Sequence, residues 1–165
     1  MTTIHTTQKA WNRLGKNRKS VIADDESTSD CWCAHIFYSG HTQFLMITNE
    51  RTLLTVVLPA KDLQRISEVL PQSIDILLQT YGVEKPARDK YIQPLSALQY
   101  SRNTKRQILG SMNDFIRMAK YILEDEPGLS LLAVSLQICN IPCSPIKMKS
   151  PQKATMDLIL QGSVL

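Results

Sequence analysis

Between residues 105 and 123 the apolar side chains Ile108, Met112, Phe115, Ile116, Ala119, Ile122 and Leu123 recur at helical spacing, and this pattern constrains the chain more than any other. Residues three and four apart stack on one face of a helix, so the spacing predicts a helix with a greasy stripe that must be buried. Arg106, Gly110, Asn113, Arg117 and Lys120 then share another face. Glycine inside a helix costs about 1 kcal/mol relative to alanine. Either the helix packs closely on a neighbour at Gly110, or a ligand or partner backbone approaches there. In the second case Arg106 and Arg117 serve as anchors, because guanidinium groups match phosphate and carboxylate geometry. Asp114 and Arg117, three apart, are expected to pair on the surface.

Such a helix needs a second layer to bury its stripe. Residues 31–58 supply one. In residues 31–38, Trp32, Ala34, Ile36 and Tyr38 alternate with Cys31, Cys33, His35 and Phe37. Both sets are mostly apolar, which predicts a central strand covered on both faces. Residues 43–48 and 52–58 read as further strands, joined by turns at Ser39–Thr42 and Asn49–Arg51. Connections this short force antiparallel neighbours. The expected sheet is an antiparallel meander of three to five strands.

The remaining chain is read with less contrast. Residues 62–80 carry two helical apolar sets separated by Pro71, which either kinks one helix or opens a second. Residues 83–97 are mixed, and Leu98–Ser101 suits a short strand leading into the 105–123 helix, with Asn103 or Thr104 as its cap. Leu132, Val134, Leu136 and Ile138 alternate with small or polar residues, which suggests a strand. Ser150-Pro151 looks like a cap and first turn of a helix ending near Leu160. Thr6 or Thr7 can cap a short helix over residues 9–14, and Gly15 can end it. The fold class is therefore α+β. A single domain over residues 31–165 follows a segment, residues 1–30, holding a short helix and a polar loop.

A chain of 165 residues with 43% apolar content is long enough to bury a real core. It carries no apolar run long enough for a membrane span, and its N-terminus lacks the layout of a secretory signal. Those features read as cytoplasmic, with no membrane partner. The net charge of +4 permits nucleic-acid binding without demanding it. The bases Lys9, Arg13, Lys16, Arg18 and Lys19 cluster without an acid in residues 1–20, followed by Asp24, Asp25, Glu26 and Asp30. That cluster is either a solvated face offset by nearby acids or a phosphate-docking arm with Trp11 available for stacking.

No fingerprint for a phosphate loop, dinucleotide site, nucleophile elbow or zincin is present. The four cysteines form two close pairs, Cys31/Cys33 and Cys139/Cys143, but C-x-C is tighter than the usual zinc knuckle. They are expected to act as small buried apolar side chains, with no metal and no cofactor bound. His35 lies two positions from Cys33 on one strand face, where contact is possible but not aimed. His41 is expected to be exposed in a turn, and His5 to lie near a disordered end.

The blocks Trp32-x-Ala34-His35, Thr48-Asn49-Glu50-Arg51-Thr52-Leu53 and Arg106-x-x-Leu109-Gly110-Ser111-Met112-Asn113-Asp114 resemble a family of small bacterial domains of unknown function. That family's pattern reads W-x-A-N, N-E-x-T-L and R-S-V-L-G-S-M-N-D. Asn140-x-Pro142, Pro145 and Ser150-Pro151 are similar to its tail. The chain departs at His35, where the pattern has Asn, and at Gln107, where it has Ser. The resemblance implies a protein that is often single-domain and sometimes carried on mobile elements. It supplies no catalytic residues.

Three functional readings remain. The first is a non-enzymatic binding or regulatory protein, acting through a macromolecular partner that is a protein rather than a nucleic acid. Its contact residues would be Arg106, Gly110, Asn113 and Arg117, with Trp32 and His35. The second is a nucleic-acid binder using Lys9, Arg13, Lys16, Arg18, Lys19, Arg102, Lys105 and Arg106. The third is an enzyme with a polar pocket near Trp32, His35, Arg106 and Asn113.

Overall fold

A computed structural model describes residues 2–14, 31–102 and 104–163. The polar stretch 16–30, with Lys16, Arg18 and Lys19, and the candidate caps Gly15 and Asn103 lie outside the described residues. Five strands among the described residues form one sheet: β1 (Thr2–Thr6), β2 (Cys31–Ser39), β3 (Thr42–Asn49), β4 (Thr55–Pro59) and β5 (Leu98–Ser101). The helices are α1 (Gln8–Leu14), α2 (Ile66–Thr80), α3 (Lys85–Ile92), α4 (Arg106–Asp125), α5 (Leu131–Ile138) and α6 (Pro151–Ser163). Short 3-10 turns occupy Ala60–Arg65, Gln93–Ser96 and Ser144–Ile146.

The strand order is β4-β3-β2-β1-β5. The meander β2-β3-β4 is antiparallel, as the short turns require. The sheet as a whole is mixed, because β1 runs parallel to both β2 and β5. This corrects the purely antiparallel sheet expected from the sequence. The missed strand, Thr-Thr-Ile-His-Thr, is rich in β-branched residues but only five long, at a terminus where local pattern carries little weight. His5 is therefore placed in an interior strand, not at a disordered end. Residues 2–14 enter the same sheet and core as the strands and helices that follow.

Register assigns the two faces. Ile4, Trp32, Ala34, Ile36, Leu45, Ile47, Val56, Leu58 and Tyr100 point to one face, where α1, α2 and the Ala60–Arg65 turn cover them. Cys33, Phe37, Met46 and Val57 point to the other, against Ile108, Met112, Phe115, Ile116, Ala119 and Ile122 of α4 and Val134 and Ile138 of α5. The greasy stripe of α4 thus faces inward as its spacing requires.

A second correction concerns residues 131–138, which are helical. Ser130 caps that helix, its Oγ accepting from Ala133 N–H at 3.1 Å. An eight-residue apolar run satisfies a strand and a helix template equally, so the cap decides. Once helical, α5 aims Ser135 and Cys139 at β4: Ser135 Oγ accepts from Val57 N–H at 2.9 Å and Cys139 Sγ accepts from Thr55 N–H at 3.4 Å. Those two N–H groups face away from β3, and they are satisfied by side chains rather than a further strand.

The ends of other elements follow local chemistry. Ser150 Oγ accepts from Lys153 N–H at 3.1 Å and caps α6. Pro71 lies inside the single helix α2. The N-cap of α4 is Lys105 with no side-chain bond, so Thr104 does not cap it. Strand β4 starts at Thr55 and not at Thr52, because Leu53 takes a left-handed φ of 62°. Asn49 holds that turn: its Oδ1 accepts from Arg51 N–H at 2.9 Å, Thr52 N–H at 3.0 Å and Thr52 Oγ1 at 3.3 Å.

Candidate functional site

Three cavities follow one another along the chain segment 141–149, of about 520, 430 and 210 Å3. The two larger ones share Gln107, Ser111 and Pro145, and the two smaller share Arg51, Pro145 and Ile146. Shared walls make them one groove, running between α4 and this segment and on toward α6. Volumes of roughly 300–1,000 Å3 are those of ligand pockets.

The far wall is a strained loop. Lys147 and Met148 both adopt left-handed φ, at 57° and 62°. Such conformations cost on the order of 1–3 kcal/mol each in residues other than glycine. Backbone bonds to Cys143 hold them: Met148 N–H donates to Cys143 O at 2.9 Å, and Cys143 N–H donates to Lys149 O at 2.9 Å. The result presents Met148 with 64% exposure at the groove mouth, opposite the exposed Met118 of α4. At the α6 end, hydrogen bonds from Lys149 and Lys153 hold the Asp157 carboxyl below the usual carboxylate range.

The near wall is α4. Gly110 lies on it, exposed, and an added Cβ would meet nothing within 4 Å. Close helix packing therefore does not explain this glycine. Arg106, Asn113, Arg117 and Lys120 are exposed along the same helix, and Arg117 pairs with Asp114. Arg106 to Arg117 is eleven residues, about three turns, so the two guanidiniums stand on one face with Gly110 and Asn113 between them.

Trp32 and His35 are not brought together with that face. Trp32 is 1% exposed and packs in the core beneath α1 and α2. His35 points to the opposite face of β2, where its Nδ1 is 3.1 Å from Thr7 Oγ1. Burial, and then the Lys9 ammonium, push its pKa below the ordinary imidazole value, which favours the neutral ring. The basic residues are likewise divided. Lys9 sits over the Tyr38 ring, Arg13 bonds to Gln43, and Arg102 stacks over Trp11 and bonds to Gln8 at 3.1 Å. Lys105, at the N-cap of α4, instead pairs with Glu50, with Nζ 3.5 Å from Oε2.

Sequence reasoning missed one cluster. His5 of β1, Cys31 of β2 and Glu50 just beyond β3 bring one ligand atom each to within 4.8 Å of one another. Among the described residues no other group of three or more His, Cys, Asp or Glu side chains converges this closely. Glu50 is almost buried, with His5 Nε2 3.9 Å from its Oε1. Its carboxylate and burial together push the Cys33 thiol up to about 12, burial contributing more. The signal for this cluster lay in β1: once His5 is read as a strand residue paired beside β2, its face is that of Cys31 and Cys33. The cysteine pairs themselves play other parts. None of the four is in a disulfide, and Cys139 and Cys143 bond to the carbonyls of Thr55 and Ile141.

The second and third blocks read from the sequence, and the proline-rich tail, meet at the groove, while the Trp32–His35 block does not reach it. Glu50, Arg51 and Leu53, then Gln107, Gly110, Ser111 and Asp114, then Pro142 and Pro145 line its cavities. No helix among the described residues is long and apolar enough to cross a membrane. Neither curated proteins nor solved structures match the chain. The family model of a domain of unknown function, DUF6933, matches residues 3–154, and the chain belongs to that family.

Proposed function

We propose that this domain is a non-enzymatic binding module of the cytoplasm that seats a segment of a partner protein in the groove between α4 and residues 141–149. One observation carries the reading: an apolar groove walled by Phe115, Met118, Ile141, Pro142, Pro145 and Met148, with its outer wall held in a strained backbone. Methionine at a groove mouth supplies a soft, adaptable contact surface. Gly110 leaves room for an approaching backbone, and Arg106, Asn113 and Arg117, exposed on the same helix, would engage acidic or amide groups of the partner. The thiol in the groove, Cys143, is pushed above its ordinary value by burial and then by Asp114, which disfavours the thiolate a nucleophile needs.

The nucleic-acid reading finds less support. Lys9 and Arg13 lie on α1 and Lys105 and Arg106 at the start of α4, which pack on opposite faces of the sheet. A phosphate-tracking surface needs its cations on one side.

Selection of peptides from a display library on the full chain tests the proposal. Selected peptides should lose at least tenfold in affinity with Gly110→Trp and keep it with Gln79→Trp, an exposed site on α2. Binders indifferent to Gly110→Trp would overturn it. A gel shift that weakens steeply with salt would favour nucleic acid instead.

A further inference from the structure

The geometry points to a transition-metal site, best suited to Zn2+, formed by His5, Cys31 and Glu50 with a fourth position open to the 430 Å3 cavity. Three features of the cluster carry this. The donors are an imidazole nitrogen, a sulfur and a carboxylate oxygen, a set that suits zinc and its neighbours and not the all-oxygen shells of magnesium or calcium. Their three ligand atoms all lie within 4.8 Å of one another. A Cys-His-Glu catalytic relay needs sulfur and carboxylate on opposite edges of the ring, farther apart than that mutual distance. Finally, Glu50 Oε1 is buried with no hydrogen-bond partner among the described residues. An unsatisfied buried carboxylate oxygen is costly, and a cation at that atom offsets the cost.

The scaffold is already aligned. His5 lies on β1, Cys31 opens the neighbouring β2 and Glu50 directly follows β3, and Glu50 N–H donates to Cys31 O at 3.0 Å, tying two of them together by backbone. Tetrahedral zinc with bonds of about 2.0–2.3 Å places its donors roughly 3.3–3.8 Å apart. The widest separation therefore has to contract by about 1 Å, while His5 Nε2 and Glu50 Oε1 at 3.9 Å are already close to that spacing. Lys105 Nζ lies 3.5 Å from Oε2, the carboxylate oxygen turned from His5, and would orient a monodentate Glu50 as outer-shell partners do. On binding, the metal displaces the Cys31 thiol proton to solvent, and His5 binds as the neutral ring. Cys31 and Glu50 both line the cavity, so the fourth position would hold water or a donor group from a ligand. The three protein ligands do not depend on the partner-segment reading, although the fourth position opens into the same groove.

The test uses the full chain without a polyhistidine tag, stripped with chelator and kept reduced, and Co2+ or Zn2+ alone as probe. We expect one Co2+ per chain with a thiolate-to-cobalt charge-transfer band, displaced by Zn2+. Cys31→Ser should abolish the band, Glu50→Gln should weaken binding at least tenfold, and Cys143→Ser should change neither. Circular dichroism establishes that each variant folds. Should a ligand variant fail to fold, Lys105→Met, an exposed change, should still lower affinity about 10–100-fold through the lost orientation. No uptake at tenfold metal excess would overturn the site, as would a band that persists in Cys31→Ser or an affinity untouched by Lys105→Met.

Discussion

The two faces of the sheet are built on different principles. The face under α1 and α2 has an apolar centre of Ile4, Trp32, Ala34, Ile36, Leu45, Ile47, Val56 and Leu58, with the buried polar residues Thr2, Thr6 and Asn49 only at its strand ends. The face under α4 and α5 interrupts its apolar centre with Thr3, His5, Cys31, Thr48, Thr55, Gln99 and Ser101, and most of these are buried. Several are satisfied in place: Gln99 Nε2 donates to Thr3 Oγ1 at 2.9 Å, and Thr48 and Thr55 hydroxyls meet at 2.9 Å. The contrast teaches where stability and chemistry sit. Apolar burial on the first face supplies stabilisation without specificity for any ligand. The second face keeps polar groups at some cost and sets the cavities beside them.

The sharpest way to break this contrast is Trp32→Ala. Removing a large, fully buried side chain from the first face should cost about 3–5 kcal/mol in urea unfolding, and a loss near zero would refute the assignment of that face as the main core. On the second face the comparable change is polar. Ser135→Ala takes the acceptor from Val57 N–H and should cost about 1–3 kcal/mol, the price of a buried donor left unsatisfied. Asn49→Ala removes the acceptor shared by two backbone N–H groups in the β3–β4 turn and should cost a similar amount, read by the same melt.

Gly110→Ala should act in the other direction. With open space around its Cβ position and helical backbone, alanine should stabilise by about 0.5–1 kcal/mol. A destabilisation would mean that α4 packs there after all. The smallest effect concerns pH. The Asp157 carboxyl is depressed by hydrogen bonds from Lys149 and Lys153, so its contribution is present above the ordinary carboxylate pKa and is lost as pH falls through the depressed one. An NMR titration should show Asp157 protonating below unpaired surface carboxylates, with Lys149→Ala moving it back up.

What the sequence disclosed follows from period and length. The helix of α4 and the β2-β3-β4 meander each repeat their pattern often enough to be unambiguous. So did the outward stripe of Arg106, Gly110, Asn113 and Arg117. The strand Thr2–Thr6 was invisible because five residues cannot establish alternation, and its parallel pairing depends on neighbours far along the chain. That single omission hid the His5, Cys31 and Glu50 cluster, whose members meet only once β1 lies beside β2. The groove was out of reach for a related reason: segment 141–149 has no periodicity, and its position against α4 is a tertiary fact.

The docking of α5 on β4 has a consequence for solubility. A sheet margin with exposed amides is a template onto which another chain can add as a further strand. Here the thiol of Cys139 and the hydroxyl of Ser135 already occupy the positions such an intruder would need. Growth of the sheet into fibrils from that margin is thus blocked by two small side chains, and α5 acts as a guard against self-association as well as a piece of core.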